Sequence, residues 1–250
     1  MGEFTIKIIK QLKDNYSYIL QSKNNINVII IDPSDASKHI SYLNDNNLII
    51  ESIFLTHHHT DHTSGVLDLI NKFPSAKVFS PNKKIVGTTN FIKNGDLIKT
   101  SINEFEVSST PGHTLDHIIL YDKINSLLFS GDTLFRLGCG RIFEGTLEQM
   151  YSSLEKINRY PDNTEVYCGH EYTMNNLIFL ENLFSDNKNL KNLKKEIEGS
   201  DCTIPFKLGL EKENNPFLNQ SSQYYENFKK KYEFTNFELF KFVREKKDQF

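Results

Sequence analysis

Residues 53–62, Ile53-Phe54-Leu55-Thr56-His57-His58-His59-Thr60-Asp61-His62, set a histidine-rich loop directly behind an apolar run. Ile53 to Thr56 is short, apolar and bounded by polar residues, which predicts a strand. Imidazoles and carboxylates are ligands for borderline divalent ions such as zinc. His57, His59, Asp61 and His62 are therefore candidate ligands. Four on one short loop exceed what a single tetrahedral ion with an open position can take. Two ions, sharing ligands from elsewhere in the chain, fit better.

The same form recurs further along. Phe105 to Ser108 leads to Pro111-Gly112-His113, Leu127 to Phe129 to Ser130-Gly131-Asp132, and Val166 to Cys168 to Gly169-His170. Each time a strand-like run ends, a glycine follows, and a ligand-type residue comes next. Glycine permits a sharp turn and close backbone approach at such ends. Strand ends on one rim of a sheet can gather ligands that are distant in sequence. The candidate ligands are then His57, His59, Asp61, His62, His113, Asp132 and His170. A single histidine after a strand is ordinarily structural. A ligand-type residue behind each of three glycines, together with the H-x-H-x-D-H string, favours a dinuclear metal site.

Further strands are predicted over 4–9, 16–20, 27–31, 77–80, 118–121, 126–129 and 165–168, from β-branched and aromatic runs between turn signals. Helices are predicted over 36–43, 66–72 and 147–157, the last with Thr146 as N-cap and Met150, Leu154 and Ile157 at helical spacing. After about residue 171 helical stripes dominate, over 174–184, 189–197 and 237–247. The expected organisation is a mixed α/β domain over 1–170 and a smaller helical domain over 171–250.

Composition narrows the function. Against 29 Lys and Arg stand 32 Asp and Glu, a net charge of −3, so no global field recruits nucleic acid or an anionic membrane. Three cysteines argue against a disulfide framework and for a reducing compartment. Met1 to Lys7 lacks a basic stretch followed by an apolar run, and Ile6 spoils a myristoylation motif at Gly2. Runs such as Val28 to Ile31 fall far short of the ~20 residues of a membrane helix. The expectation is a cytoplasmic monomer.

Thr56 to His62, Pro111-Gly112-His113, Gly131-Asp132 and Gly169-His170 resemble the ordered metal motifs of the metallo-β-lactamase superfamily. That resemblance implies an αββα sandwich with the metals at one edge. It implies one ion on His57, His59 and His113, a second on Asp61, His62 and His170, and Asp132 on both. Narrower stretches resemble glyoxalase II, the hydroxyacylglutathione hydrolases. They are 14–18, 131–135, Gly138-Cys139-Gly140-Arg141-Ile142-Phe143-Glu144-Gly145, 169–173, 215–218 and the terminal 244–250. This resemblance implies hydrolysis of a glutathione thioester, chiefly S-(R)-lactoylglutathione, by a hydroxide held between two divalent ions. Zinc is the expected metal, and iron or manganese also suits these ligands. Asp61 and Asp132 become the catalytic carboxylates. Arg141, Tyr172, Arg244 and Lys247 become the glutathione-binding positions, with Phe143 where some members have tyrosine. Glutathione carries two carboxylates, which suits cationic donors. Asn219, where the family often has arginine, and Phe206 and Lys207, in a segment usually small and polar, are further departures.

The rivals are a mononuclear-iron glutathione persulfide dioxygenase, a β-lactamase, a nuclease and a non-enzymatic metal module. Ile142 to Gly145 after Arg141 and the long helical tail favour the hydrolase over the dioxygenase and the lactamase. The charge balance disfavours the nuclease. Seven ligands for two ions leave coordination positions open, unlike a storage or structural site. Of the remaining residues, His58 and His117 are expected beside the site, and His39 on a surface helix. Cys139 and Cys168 are expected as packed thiols, and Lys229-Lys230-Lys231 as a solvated basic face.

Overall fold

The computed structural model describes residues 3–24, 26–218 and 222–250. Gly2 and Asn219 lie outside the described residues. The chain forms two compact units, Met1–Ser109 with Asp116–Asn125, and Thr110–Leu115 with Ser126–Phe250.

The first unit contains β1 (Phe4–Gln11), β2 (Asn15–Ser22), β3 (Asn27–Ile31), α1 (Ser37–Asp45), β4 (Ile49–Phe54), α2 (Thr60–Thr63) and α3 (Val66–Lys72). It continues through β5 (Lys77–Ser80), β6 (Asn90–Phe91), β7 (Leu97–Lys99), β8 (Glu104–Ser109) and β9 (Ile118–Asp122). Strands β1 to β6 form one sheet in sequence order, antiparallel from β1 to β3 and parallel from β3 to β6. Parallel strands are covered on both faces, so they read as continuous apolar runs. Val28, Ile29, Ile30 and Ile31 are all buried accordingly. Ile30, Ile53 and Val78 share a cluster with Leu43 of α1 and Leu69 of α3, so helices cover one face. From the sheet, Phe54 stacks on Phe79 at 4.7 Å and meets Phe105 of the antiparallel β7–β8–β9 set edge-on at 5.1 Å.

The strand predicted over 53–56 begins earlier and stops earlier, because Ile49 and Ile50 pair with Asn27 and Val28. Beyond Phe54 the chain stays extended by other bonds, Leu55 N–H to Phe79 O and Thr56 N–H to the Asp32 carboxylate. The histidine loop thus leaves the sheet from a fixed end.

His39 corrects an expectation. It lies on α1 but faces inward and is fully buried. Its Nε2 meets Ser17 Oγ at 2.9 Å and its Nδ1 meets Asp35 O at 2.9 Å. The isolated polar residue had suggested exposure, but these partners make burial tolerable. Burial, opposed by the Asp35 carbonyl and carboxylate, lowers its pKa to about 4. The unfolded chain therefore binds the proton more readily between pH 6.5 and 4. Stability contributed above pH 6.5 is lost as pH falls through that window, on the order of 3 kcal/mol in all. Thermal melts of His39→Gln should show a shallower loss between pH 7 and 4.5 than the parent; equal slopes would exclude His39 as the cause.

The second unit contains β10 (Leu127–Gly131), β11 (Leu134–Phe135), β12 (Gly138–Cys139), α4 (Leu147–Ile157), β13 (Glu165–Cys168) and α5 (Thr173–Leu183). After them come α6 (Lys188–Ile197), β14 (Phe206–Lys207), α7 (Leu208–Asn214), α8 (Gln223–Tyr232) and α9 (Asn236–Asp248). Strand β13 pairs parallel with β10 and antiparallel with β14. Helix α4 occupies the predicted residues. Thr146 and Gln149 close a capping box, and Met150, Leu154 and Ile157 are buried. Helix α9 starts on a second capping box, Thr235 with Glu238.

Phe206 and Lys207 belong to an edge strand. Phe206 pairs with Val166 and is buried, while Lys207 reaches Glu165 at 3.0 Å. The Lys229–Lys231 run is not a uniformly solvated face. Lys229 is buried, with its ammonium on Glu226 at 2.5 Å and on Asn236. Among the described residues, no helix is long and apolar enough to cross a membrane.

Candidate metal centre

The first unit supplies one donor set. His57 follows β4 by three residues, His59 is the N-cap of α2, and Asp61 and His62 lie in its single turn. His57 and His62 are buried, and His59 and Asp61 half-buried. Ligand atoms of His57 and His59, of His57 and His62, and of Asp61 and His62 come within 4.8 Å of each other.

Asp32 orients two of these rings. It stands at the end of β3 in a left-handed conformation, φ +50°. Its carboxylate accepts from Thr56 N at 2.8 Å, Thr56 Oγ1 at 2.7 Å and His62 Nδ1 at 3.1 Å. Since the Thr56 hydroxyl donates to Asp32, it accepts from His57 Nδ1 at 3.0 Å. Both Nδ1 atoms then carry the proton, and both Nε2 atoms present lone pairs, the tautomer a metal needs. Asn15 does the same service for Asp61. Its Nδ2 donates to Asp61 Oδ2 and to Asp61 O, each at 3.0 Å. Ser34 Oγ also donates to Asp61 O.

His58 turns elsewhere, with Nδ1 3.0 Å from Asp116, which also accepts from Asn82 at 2.9 Å. His117 is buried and stacks on His57 at 4.7 Å.

The second unit supplies the other donor set. Asp132 Oδ2 lies 3.4 Å from His113 Nε2 and 3.3 Å from His170 Nε2. His113 Nδ1 donates to Arg141 O at 2.8 Å, so its Nε2 points a lone pair at a carboxylate oxygen. Two such electron-rich atoms repel unless a cation lies near both. All three residues are nearly buried. Two glycines make this packing possible. Gly131 adopts φ +48° where β10 turns toward Asp132, and a Cβ at Gly140 would lie 1.9 Å from Asp132 O. The donor sets, imidazole Nε2 and carboxylate oxygen with fixed tautomers, suit divalent cations in chemistry and orientation.

Beside this set lie the predicted substrate-binding residues. Tyr172 stacks on His170 at 4.7 Å, nearly parallel, and Phe135 meets both rings edge-on. Arg141 is 62% exposed, its guanidinium 5.6 Å from the exposed Phe143 ring. Arg244 is buried in α9. It donates to Cys139 O at 3.1 Å and Asp248 Oδ1 at 2.8 Å, and Arg141 Nε lies 3.9 Å from the same oxygen. Lys247 Nζ sits 4.8 Å from Phe179 and 4.9 Å from Phe250. Burial, aided by the nearby Arg244 charge, lowers its pKa to about 8. Arg141 and Arg244 therefore share one carboxylate, while Lys247 is seated between rings. None of the three cysteines is in a disulfide, and burial pushes the Cys139 thiol up to about 11 and Cys168 further.

Asp32 and Asn15 escaped the sequence reading. Asp32 is one more acidic residue directly behind a predicted strand, 27–31, but no glycine precedes it to mark it as the others are marked. Asn15 carried no signal of its own beyond its place in the stretch 14–18.

Comparison with known proteins adds an independent line. Residues 13–170 match the metallo-β-lactamase superfamily, and 171–250 match the hydroxyacylglutathione hydrolase C-terminus. A hydroxyacylglutathione hydrolase of Pectobacterium atrosepticum is 40% identical, over 97% of this chain and 98% of its own. One of Psychromonas ingrahamii is 41% identical over 86% of each chain. Among solved structures, ETHE1 from Myxococcus xanthus aligns with a TM-score of 0.68 at 22% identity, covering 95% of both chains. The αββα architecture with a helical C-terminal region is thus the fold of this chain.

Proposed function

Because the chain belongs to the hydroxyacylglutathione hydrolases of the metallo-β-lactamase superfamily, we infer that it is a thioester hydrolase acting on S-(2-hydroxyacyl)glutathione. Its chief substrate is S-(R)-lactoylglutathione, cleaved to glutathione and D-lactate. The observation that carries this reading is the match of 171–250 to the hydrolase C-terminus, the segment holding Tyr172, Arg244 and Lys247. We assign catalysis to 1–170 and glutathione binding mainly to 171–250.

The family binds divalent metal, and the two donor sets suit it. Two zinc ions are the proposed complement: His57, His59 and His113 would hold one, Asp61, His62 and His170 the other, and Asp132 would serve both. When bound, they supply Lewis acidity, which acidifies a water and stabilises negative charge on a carbonyl oxygen. Asp61, steadied by Asn15, orients the attacking water. Asp32 keeps the His57 and His62 tautomers fixed throughout. No serine or cysteine nucleophile is required. The cations Arg141, Arg244 and Lys247 hold the two carboxylates of the glutathionyl group, and Tyr172 lines the approach. Phe143 offers an apolar edge in place of a hydroxyl. We place the protein in a reducing cytoplasm, as a monomer, with its three cysteines outside any disulfide.

Purified protein should consume lactoylglutathione thioester and release free thiol, with about two metal ions per chain. Oxygen uptake with glutathione persulfide and no thioester cleavage would instead establish the dioxygenase.

Lys247 gives the reaction a pH signature. Its ammonium holds an anion only while protonated, so KM rises as pH increases through about 8. Lys247→Arg, which stays charged, should flatten that rise. An unchanged profile in the variant would remove Lys247 from substrate binding.

A further inference from the structure

The hairpin β11–β12 touches three candidate site residues of the second unit, His170, Tyr172 and Arg244. Phe135 packs edge-on to His170 and Tyr172, and Cys139 O accepts from Arg244. Gly140 follows directly and lies against Asp132 O. Yet the hairpin is two residues per strand, and its turn residue Leu137 is held at φ +59°. A two-stranded ribbon this short has no stability of its own, and a leucine in the left-handed region adds to the cost. Something outside it must fix its shape.

Buried side chains do so: Ser130 Oγ donates to Leu134 O at 2.8 Å, Asn176 Nδ2 donates to Arg136 O at 3.0 Å, and Glu211 and Asn215 hold the turn and the second strand. Glu211 of α7 accepts the Leu137 N–H at 2.7 Å, and Asn215 donates to Gly138 O at 3.1 Å and Phe135 O at 3.4 Å. Asn215 also donates to Glu211 Oε2 at 3.0 Å and accepts from Phe217 N at 3.0 Å, so the clamp is one connected network. Both side chains are at most 2% exposed. We propose that Glu211, acting with Asn215, is a positioning residue for substrate binding, holding the 134–139 hairpin so that Arg244 and Tyr172 present a fixed surface to the glutathionyl group. This role rests on the hydrolase reading above.

Burial pushes the Glu211 carboxyl up to about 7, against the Leu137 amide, Asn215 and the Arg136 guanidinium. The neutral acid is thus well represented near neutrality, and glutamine is a replacement the fold tolerates. Glu211→Leu keeps most of the volume but removes Oε2, which accepts from both Leu137 N and Asn215 Nδ2, and so loosens the clamp. With metal content and melting temperature measured on the same samples, KM for lactoylglutathione should rise about tenfold while kcat stays within about threefold. Amide exchange at residues 134–139 should accelerate, and Glu211→Gln, whose amide oxygen can accept both bonds, should recover most of the KM. A Glu211→Leu protein with unchanged KM and unchanged exchange would overturn the proposal. So would equal falls in kcat and metal content, which would mark a general structural role. A parent protein that cleaves no thioester would overturn the hydrolase reading, and this role with it; an active parent with an indifferent variant would sink the clamp alone.

Discussion

Asp132→Ala should lower kcat/KM for lactoylglutathione by on the order of 10³-fold or more, about 4 kcal/mol of transition-state stabilisation. Bound metal should fall in parallel. Asp132 is nearly buried, and its carboxylate faces the Nε2 atoms of His113 and His170 at 3.4 and 3.3 Å. Alanine removes an anion that both rings approach, so a cation there would lose a charge partner as well as a ligand. Metal analysis together with single-substrate kinetics on folded protein checks this. Full activity in a metal-depleted variant would end the metal mechanism. His59→Ala, at the other donor set, should follow the same pattern.

The second large effect is expected at a residue that touches no substrate. Asp32→Ala strips the acceptor from three buried donors, Thr56 N, Thr56 Oγ1 and His62 Nδ1. Removing a buried hydrogen-bonded carboxylate of this kind costs on the order of 3 to 5 kcal/mol of stability. Losing an outer-shell partner lowers metal affinity about 10- to 100-fold. Competition against a graded chelator measures the affinity, and a thermal melt of the metal-free protein measures the stability. Asp32→Asn, which can still accept from one face, should fall between. Parent-like chelator resistance in Asp32→Ala would show that the imidazoles need no such orientation.

The contrast between Asp132 and Asp32 explains what the sequence could disclose. His57 to His62, His113, Asp132 and His170 were legible because each follows a recognisable apolar run at short range. Helix α4 was legible because its period, its N-cap and its buried face agree over eleven residues. Asp32 acts through Thr56 and His62, 24 and 30 positions away, a relation that no local period carries. Asn15 reaches Asp61 across 46 positions. The hairpin β11–β12 was hidden because its strands are too short to alternate, and its shape is imposed by Glu211 and Asn215 from far along the chain. Helix α8 was missed because lysines and aromatics, with a buried Lys229, blur its apolar face. His39 was misplaced because a lone histidine on a polar helix gives no hint of the serine and the carbonyl awaiting it.

The buried thiols described above bear on how the enzyme survives its own product. Each turnover releases glutathione, and a cell's glutathione is partly disulfide. Mixed-disulfide formation needs a protein thiolate and a path to it. At a pKa of about 11, roughly one Cys139 in 10⁴ is ionised at pH 7, and Cys168 is ionised still less. Cys139 also lends its carbonyl to Arg244, so a glutathionyl adduct on its sulfur would push apart Arg244 and the hairpin it is bonded to. Keeping that thiol protonated and enclosed lets a thiol-releasing hydrolase carry a cysteine in the 134–139 hairpin without oxidative capture.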